Sequence, residues 1–285
     1  RHQTRLSKRS RGHAQVAARP VISIGIMQGR LSVPPAGRPQ AFPWTTWREE
    51  FSRASACGFQ RLEWLLTADR LLENPLWSDA GLAEIRALAS ATGVRVASLC
   101  ADCFIAHPFV RVSEAERANA VDLLARLVDR SAAAGIEVVA LPIIESGSLR
   151  DRDEALEFLQ VIRPVLVDAG RLGVRIGLES DIAGSVLREL IDAQGTPALG
   201  AYCDVGNAAA MGADPAADIR ALGPRIVGVH VKDRRRGGVS VPLGEGDVNF
   251  AESVDALAVA GYGGSLILET PAGSDPKESS RRHLT

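Results

Sequence analysis

The sequence predicts an α/β protein, a (β/α)8 TIM barrel in a single domain, and three observations carry that prediction. Eight short runs rich in Val, Ile and Leu recur along the chain. Longer segments with helical periodicity separate them. The length of 285 residues suits the architecture, because α/β barrels commonly reach about 250 residues as one domain.

The runs are VISIGI (21–26), FQRLEW (59–64), VRVASL (94–99), IEVVAL (136–141), VRIGLE (174–179), LGAYCD (199–204), IVGVHV (226–231) and SLILE (265–269). Their near-continuous apolar character fits parallel strands covered on both faces. The intervening helices carry their own stop and start signals. WTTWREEFSRASACG ends at Gly58 and SDAGLAEIRALASATG at Gly93, each glycine placed to terminate a helix before the next strand. SEAERANAVDLLARLVDRSAAAG opens on a Ser113-x-x-Glu116 capping box and closes at Gly135. DEALEFLQVIRPVLVDAGRLG contains Pro164, which is expected to kink or divide it. Shorter helices are expected near 183–194, 214–222 and 250–260. A doubly wound open sheet is the structural rival, but no Gly-x-Gly-x-x-Gly follows the first run. After the eighth run only PAGSDPKESSRRHLT remains, about two turns of helix at 3.6 residues each. The last helix is therefore expected to be short or frayed, which leaves that side open to a homo-oligomeric partner.

Charge is uneven. Residues 1–20 carry six Lys/Arg and no acid, while the remainder holds 27 basic against 34 acidic residues. The first twenty residues are read as a basic, disordered tail outside the fold, and residues 21–285 as the barrel. An acidic body argues against nucleic acid as partner, since phosphate neutralisation dominates that affinity. No window approaches the ~20 apolar residues of a membrane helix. The four cysteines are too few for a disulfide scaffold. Cys100 and Cys103 form a C-x-x-C, read as two buried small hydrophobes because the stretch runs on into Phe104, Ile105 and Pro108. Reduced thiols point to a cytoplasmic protein.

In such barrels the chemistry sits at the carboxyl ends of the strands. The fifth run ends in Glu179, the sixth in Asp204, the seventh in His230 and the eighth in Glu269. A single Glu there reads as a helix cap, and a single His as a core residue. Four on adjacent strands of a closed ring are different, because three carboxylates in a low-dielectric pocket repel one another unless a cation intervenes. Oxygen-rich ligation with one nitrogen suits Mn2+ first, with Mg2+, Co2+ or Zn2+ as alternatives. His230 accordingly reads as a metal ligand.

The chain resembles the xylose isomerase-like family of TIM barrels, the sugar phosphate isomerases and epimerases. Within it, the L-ribulose-5-phosphate/L-xylulose-5-phosphate 3-epimerase and D-tagatose 3-epimerase groups are the most similar. The resemblance rests on GIMQGRLS from residue 25, IGLES ending at 180, YCDVGNA from 202, VHVKD from 229, VPLGEGDVNF from 241 and LILET from 266. It covers the barrel and neither tail. It implies one divalent metal held by Glu179, Asp204, His230 and Glu269. The two glutamates would double as acid/base groups in C3 epimerisation of a ketose or ketose phosphate through an enediolate.

Other positions carry two readings each. Glu63 and Glu145 either bind sugar hydroxyls or cap the following helices. Gln28, Arg30 and Asn207 are expected to face the substrate. Lys232 and Asp233 are expected to pair with each other beside His230, in a role that either orients ligands or is merely structural. Gly244-Glu245-Gly246 is a turn, and His107 a packing residue. Ketose–aldose isomerisation and inosose-type dehydration use the same rim groups. An endonuclease IV-like phosphodiesterase would need more histidines than the two near strand ends, His107 and His230. A non-catalytic sugar-binding barrel would be free to lose a glutamate, and none is missing.

Overall fold

β1 (Ser23–Met27) pairs in parallel with β2 (Arg61–Leu65) on one side and with β8 (Ser265–Leu268) on the other. That double pairing closes the sheet. The ring runs on through β3 (Arg95–Cys100), β4 (Val138–Ile143), β5 (Arg175–Ser180), β6 (Leu199–Asp204) and β7 (Ile226–Val231), all parallel to their neighbours. The computed structural model describes residues 22–35, 38, 40–273 and 275–282. The expected basic tail lies outside the described residues.

Ten α-helices are found among the described residues: α1 (Trp47–Cys57), α2 (Asp79–Thr92), α3 (Cys103–Ala106), α4 (Glu114–Ala134), α5 (Arg152–Leu172), α6 (Gly184–Gln194), α7 (Val205–Ala210), α8 (Pro215–Leu222), α9 (Phe250–Val259) and α10 (Pro276–Arg282). Left-handed Gly58, Gly93, Gly135 and Gly173 end α1, α2, α4 and α5. Ser113 and Glu116 form the reciprocal capping box of α4. Pro164 does not divide α5, which is one helix of 21 residues. The apolar face contributed by Phe158, Leu159, Ile162, Val165 and Leu166 is buried on both sides of the proline, and that packing keeps the helix continuous. α10 is the short last helix, seven residues long, with its Lys277 carbonyl 3.8 Å from Cys57 Sγ of α1. Among the described residues no helix is long and apolar enough to cross a membrane.

The barrel interior departs from the usual stacked layers of bulky branched residues. One apolar cluster combines Met27, Leu65, Cys100 and Ile267, and a second Val138, Ala140, Tyr202 and Val227. The Tyr202 ring is accommodated by Gly228, where a Cβ atom would come within 2.2 Å of it. Its hydroxyl reaches across the barrel to Glu63. The C-x-x-C pair is unbridged, and Cys103 opens the one-turn α3. A helix thus does start there, contrary to expectation, but burial raises both thiols, so neither has thiolate character.

Glu50 of α1 is fully buried and accepts a 2.6 Å hydrogen bond from the Gly29 amide, anchoring the loop that carries Arg30. Burial pushes its carboxyl up from 4.5 to about 7, against the opposing pull of the Gly29 amide. The unfolded chain therefore releases this proton first, and folding stability falls as pH rises from about 4.5 to about 7. Glu50→Gln is expected to flatten that dependence. Thermal unfolding should show the variant gaining up to about 3 kcal/mol over the parent at pH 8 and little at pH 4.5.

Candidate metal centre and active site

Parallel register brings the strand ends together. Asp204 is directly paired with His230, and Ile267, two residues before Glu269, is paired with the same histidine. Glu179 comes from β5, so the four residues form an arc from β5 to β8. Glu179, Asp204 and His230 each present a ligand atom within 4.8 Å of the others. His230 Nδ1 lies 3.6 Å from Glu179 Oε2, 3.8 Å from Asp204 Oδ2 and 3.3 Å from Glu269 Oε2.

The other ring nitrogen, Nε2, is 2.6 Å from Glu63 Oε1, and Tyr202 donates a 2.5 Å hydrogen bond to Glu63 Oε2. Glu63 is completely buried. Its oxygens are committed to His230 and Tyr202, so it neither reaches a sugar hydroxyl nor caps a helix; this corrects the sequence expectation. A carboxylate behind the imidazole fixes the ring's orientation and places the Nε2 proton, leaving Nδ1 to face the carboxylates.

Nδ1 itself is buried without a hydrogen-bond partner, which is costly for a polar atom unless something else binds it. Charge gives the second test of fit. Four buried carboxylates, Glu63, Glu179, Asp204 and Glu269, surround His230, against two buried cations, Lys232 and Arg30. With neutral imidazole the cluster carries a surplus of two negative charges, which one divalent ion would offset. Without an ion the histidine absorbs part of the surplus. Burial alone would lower its pKa, but the Glu63 charge and the other carboxylates raise it well above the ordinary value. Burial pushes Asp204 up to about 6 despite Lys232, helped by Glu179 and Glu269. Burial would also raise Glu269, but Lys232, His230 and Arg30 outweigh it and hold the carboxyl at about 2.

The supporting residues explain the motifs. In DVGN, Asp204 caps α7 by accepting the Asn207 amide at 2.8 Å through Oδ1, which leaves Oδ2 for the centre. Gly206 is required by close approach, since a Cβ there would sit 2.4 Å from Lys232 Cγ. The Asn207 side chain donates a 2.8 Å hydrogen bond to Glu179 Oε1 and accepts one of 2.7 Å from Arg234. Lys232 and Asp233 do not pair with each other. Lys232 Nζ bridges Asp204 (2.7 Å) and Glu269 (3.0 Å). Asp233 points the other way, as neighbouring strand residues do, and accepts the amides of Gly244, Gly246 and Val248. Those amides, the turn read as G-x-G, are thereby committed to a side chain of their own loop.

Arg30 is 3.3 Å from Glu269 and also bonds Gln40, whose amide donates to Asp102 at 2.6 Å. Gln28 is fully buried and accepts the Leu65 amide through its side chain, so it braces β1 against β2 beneath the rim. Glu145 is exposed, with a positive φ of 51°, at the edge of a cavity of about 650 Å³. Glu179, Asp204, Asn207, Lys232 and Glu269 line that cavity. A second cavity, about 590 Å³, opens at the opposite end of the barrel beside Arg61, Ser98 and Arg175, away from these groups. Asp102 and Tyr202 are the residues that strand-end reading missed. The signal for Tyr202 was present: it precedes Asp204 by two, and so shares its inward face.

The fold and site together define a closed parallel barrel with a candidate metal centre at the carboxyl ends of four adjacent strands. The chain belongs to the xylose isomerase-like TIM barrel family, whose model matches residues 51–285. It is 29% identical over 257 residues to an L-ribulose-5-phosphate 3-epimerase of Salmonella paratyphi A, covering 87% of each chain. A xylose isomerase domain protein from Planctomyces limnophilus superposes with a TM-score of 0.72 at 20% identity, covering 93% of this chain and 95% of that one. D-psicose 3-epimerase from Clostridium cellulolyticum H10, solved with D-tagatose, gives 0.70 at 16% identity, covering 92% and 97%.

Adding Mn2+ to metal-stripped protein is expected to raise the unfolding temperature, because the ion would bind only the folded arrangement. Glu63→Gln should weaken Mn2+ binding by about 10–100-fold in a calorimetric titration while the barrel stays folded.

Proposed function

We propose that the protein is a divalent-metal-dependent epimerase that inverts C3 of a ketose or ketose phosphate. The observation that carries this reading is His230 Nδ1, buried without a hydrogen-bond partner and facing Glu179, Asp204 and Glu269 at 3.3 to 3.8 Å. The 29% identity to an L-ribulose-5-phosphate 3-epimerase supports the reaction class. Glu179, Asp204, His230 and Glu269 would hold the ion. Their oxygen-rich donor set suits Mn2+, Mg2+ or Co2+. Once bound, the cation would supply charge stabilisation to the ketose carbonyl and its neighbouring hydroxyl oxygen.

The protein's own groups then perform the proton transfers. C3 lies beside the ketone, so removing its proton gives a planar enediolate that can take a proton back on either face. Glu269, flanked by Lys232 and Arg30, enters the cycle ionised and takes the proton from one face. Glu179, aligned by a hydrogen bond from the Asn207 amide, returns a solvent-derived proton to the other. The roles reverse in the back reaction. Asn207 and Arg234 keep Glu179 aligned, while Lys232 ties Asp204 to Glu269 across the centre.

Glu179→Gln and Glu269→Gln are each expected to lower turnover by at least about 100-fold, with metal content measured alongside. The Mn2+-loaded parent should wash solvent deuterium into C3 of its ketose. Deuterium entering C1 with an aldose product would identify an isomerase instead, and near-normal turnover in either variant would refute the two-glutamate scheme.

A further inference from the structure

The charge around the cavity bears on which sugars it admits. Beyond the three carboxylates at the metal position, Asp102, Glu145, Asp181 and Asp218 add four more to its lining. Among the described residues Lys232 and Arg234 are the cations of the lining, and Arg30 backs Glu269 from 3.3 Å. Both lining cations are engaged. Lys232 bridges Asp204 and Glu269, and the Arg234 fork is divided between Asn207 Oδ1 and the Gly238 carbonyl. Even with a divalent ion in place, the described lining would carry more negative than positive charge. The start of α6 beside the cavity is also taken. The Gly184 amide, first in α6 and next to Ala183 of the lining, donates to Asp218 Oδ1 at 2.7 Å, so it is not open to an anion. Ser148 likewise donates its hydroxyl to Asp181.

Arg235 and Arg236, next in sequence to Arg234, do not line the cavity. Arg235 Nε is turned to the Glu245 carbonyl, and the Arg236 guanidinium packs on Gly212. What the cavity does present is a set of carboxylate acceptors, the geometry that binds sugar hydroxyls and repels a phosphate dianion.

From this we infer that the substrate is an uncharged ketose and that a phosphate ester of the same sugar is discriminated against; the inference rests on the epimerase reading above. The test is a matched pair, L-ribulose and L-ribulose 5-phosphate, assayed with the Mn2+-loaded enzyme by deuterium exchange at C3, followed by D-tagatose and its phosphate ester. The free ketose should show kcat/KM at least tenfold above its ester. Inorganic phosphate should not compete with the free sugar. Because the discrimination is electrostatic, Asp181→Asn and added salt should each narrow the ratio severalfold by improving the ester. Equal or better turnover of the esters, or competitive inhibition by millimolar phosphate, would overturn the inference and leave the epimerase reading standing. Exchange with none of the four compounds would overturn both.

Discussion

The candidate metal centre depends on one buried contact, the 2.6 Å hydrogen bond between Glu63 and His230 Nε2 inside the barrel. It joins β2 to β7 across the interior and decides which face of the imidazole looks outward. A carboxylate buried this deeply is expensive unless fully partnered. Here the partners are the His230 ring and the Tyr202 hydroxyl, so both oxygens are satisfied. The cost is thereby moved to the other side of the ring, where Nδ1 faces three further carboxylates with no hydrogen-bond partner. The fold concentrates negative charge at one point, and a cation is the simplest way to stabilise it.

The barrel makes this possible by giving up its usual filling. Tyr202 occupies the space that bulky branched side chains fill in other barrels, and Gly228 leaves room for its ring. The hydroxyl at the tip then supports Glu63 from below. Strand geometry links the two levels. Residues two apart share a face, so Tyr202 and Asp204 on β6 point inward one above the other, as do Gly228 and His230 on β7. A substitution that enlarged Gly228 would reach the centre through the tyrosine.

Much of this was legible in the sequence. Eight apolar runs and the helix stops at Gly58, Gly93 and Gly135 specify the alternation, and all eight runs coincide with barrel strands. The convergence of Glu179, Asp204, His230 and Glu269 follows from strand-end position once the sheet is closed. What could not be read is lateral contact inside the barrel. Glu63 sits one residue before the end of an ordinary-looking run, and nothing in its neighbourhood shows that its partner is 167 positions away. Lys232 and Asp233 looked like a pair because they are adjacent, yet strand alternation sends one to the centre and the other to the amides of the following loop. Pro164 does not divide α5, because tertiary packing along the helix keeps it continuous through the proline.

In the proposed centre, one cation would sit between His230 Nδ1 and the carboxylates of Glu179, Asp204 and Glu269. Anomalous diffraction from crystals grown with Mn2+ tests it directly. A single strong peak is expected, bonded to that nitrogen and those three side chains, with Glu63 still on Nε2. A peak elsewhere, or an imidazole turned so that Nδ1 faces away from the carboxylates, would contradict it.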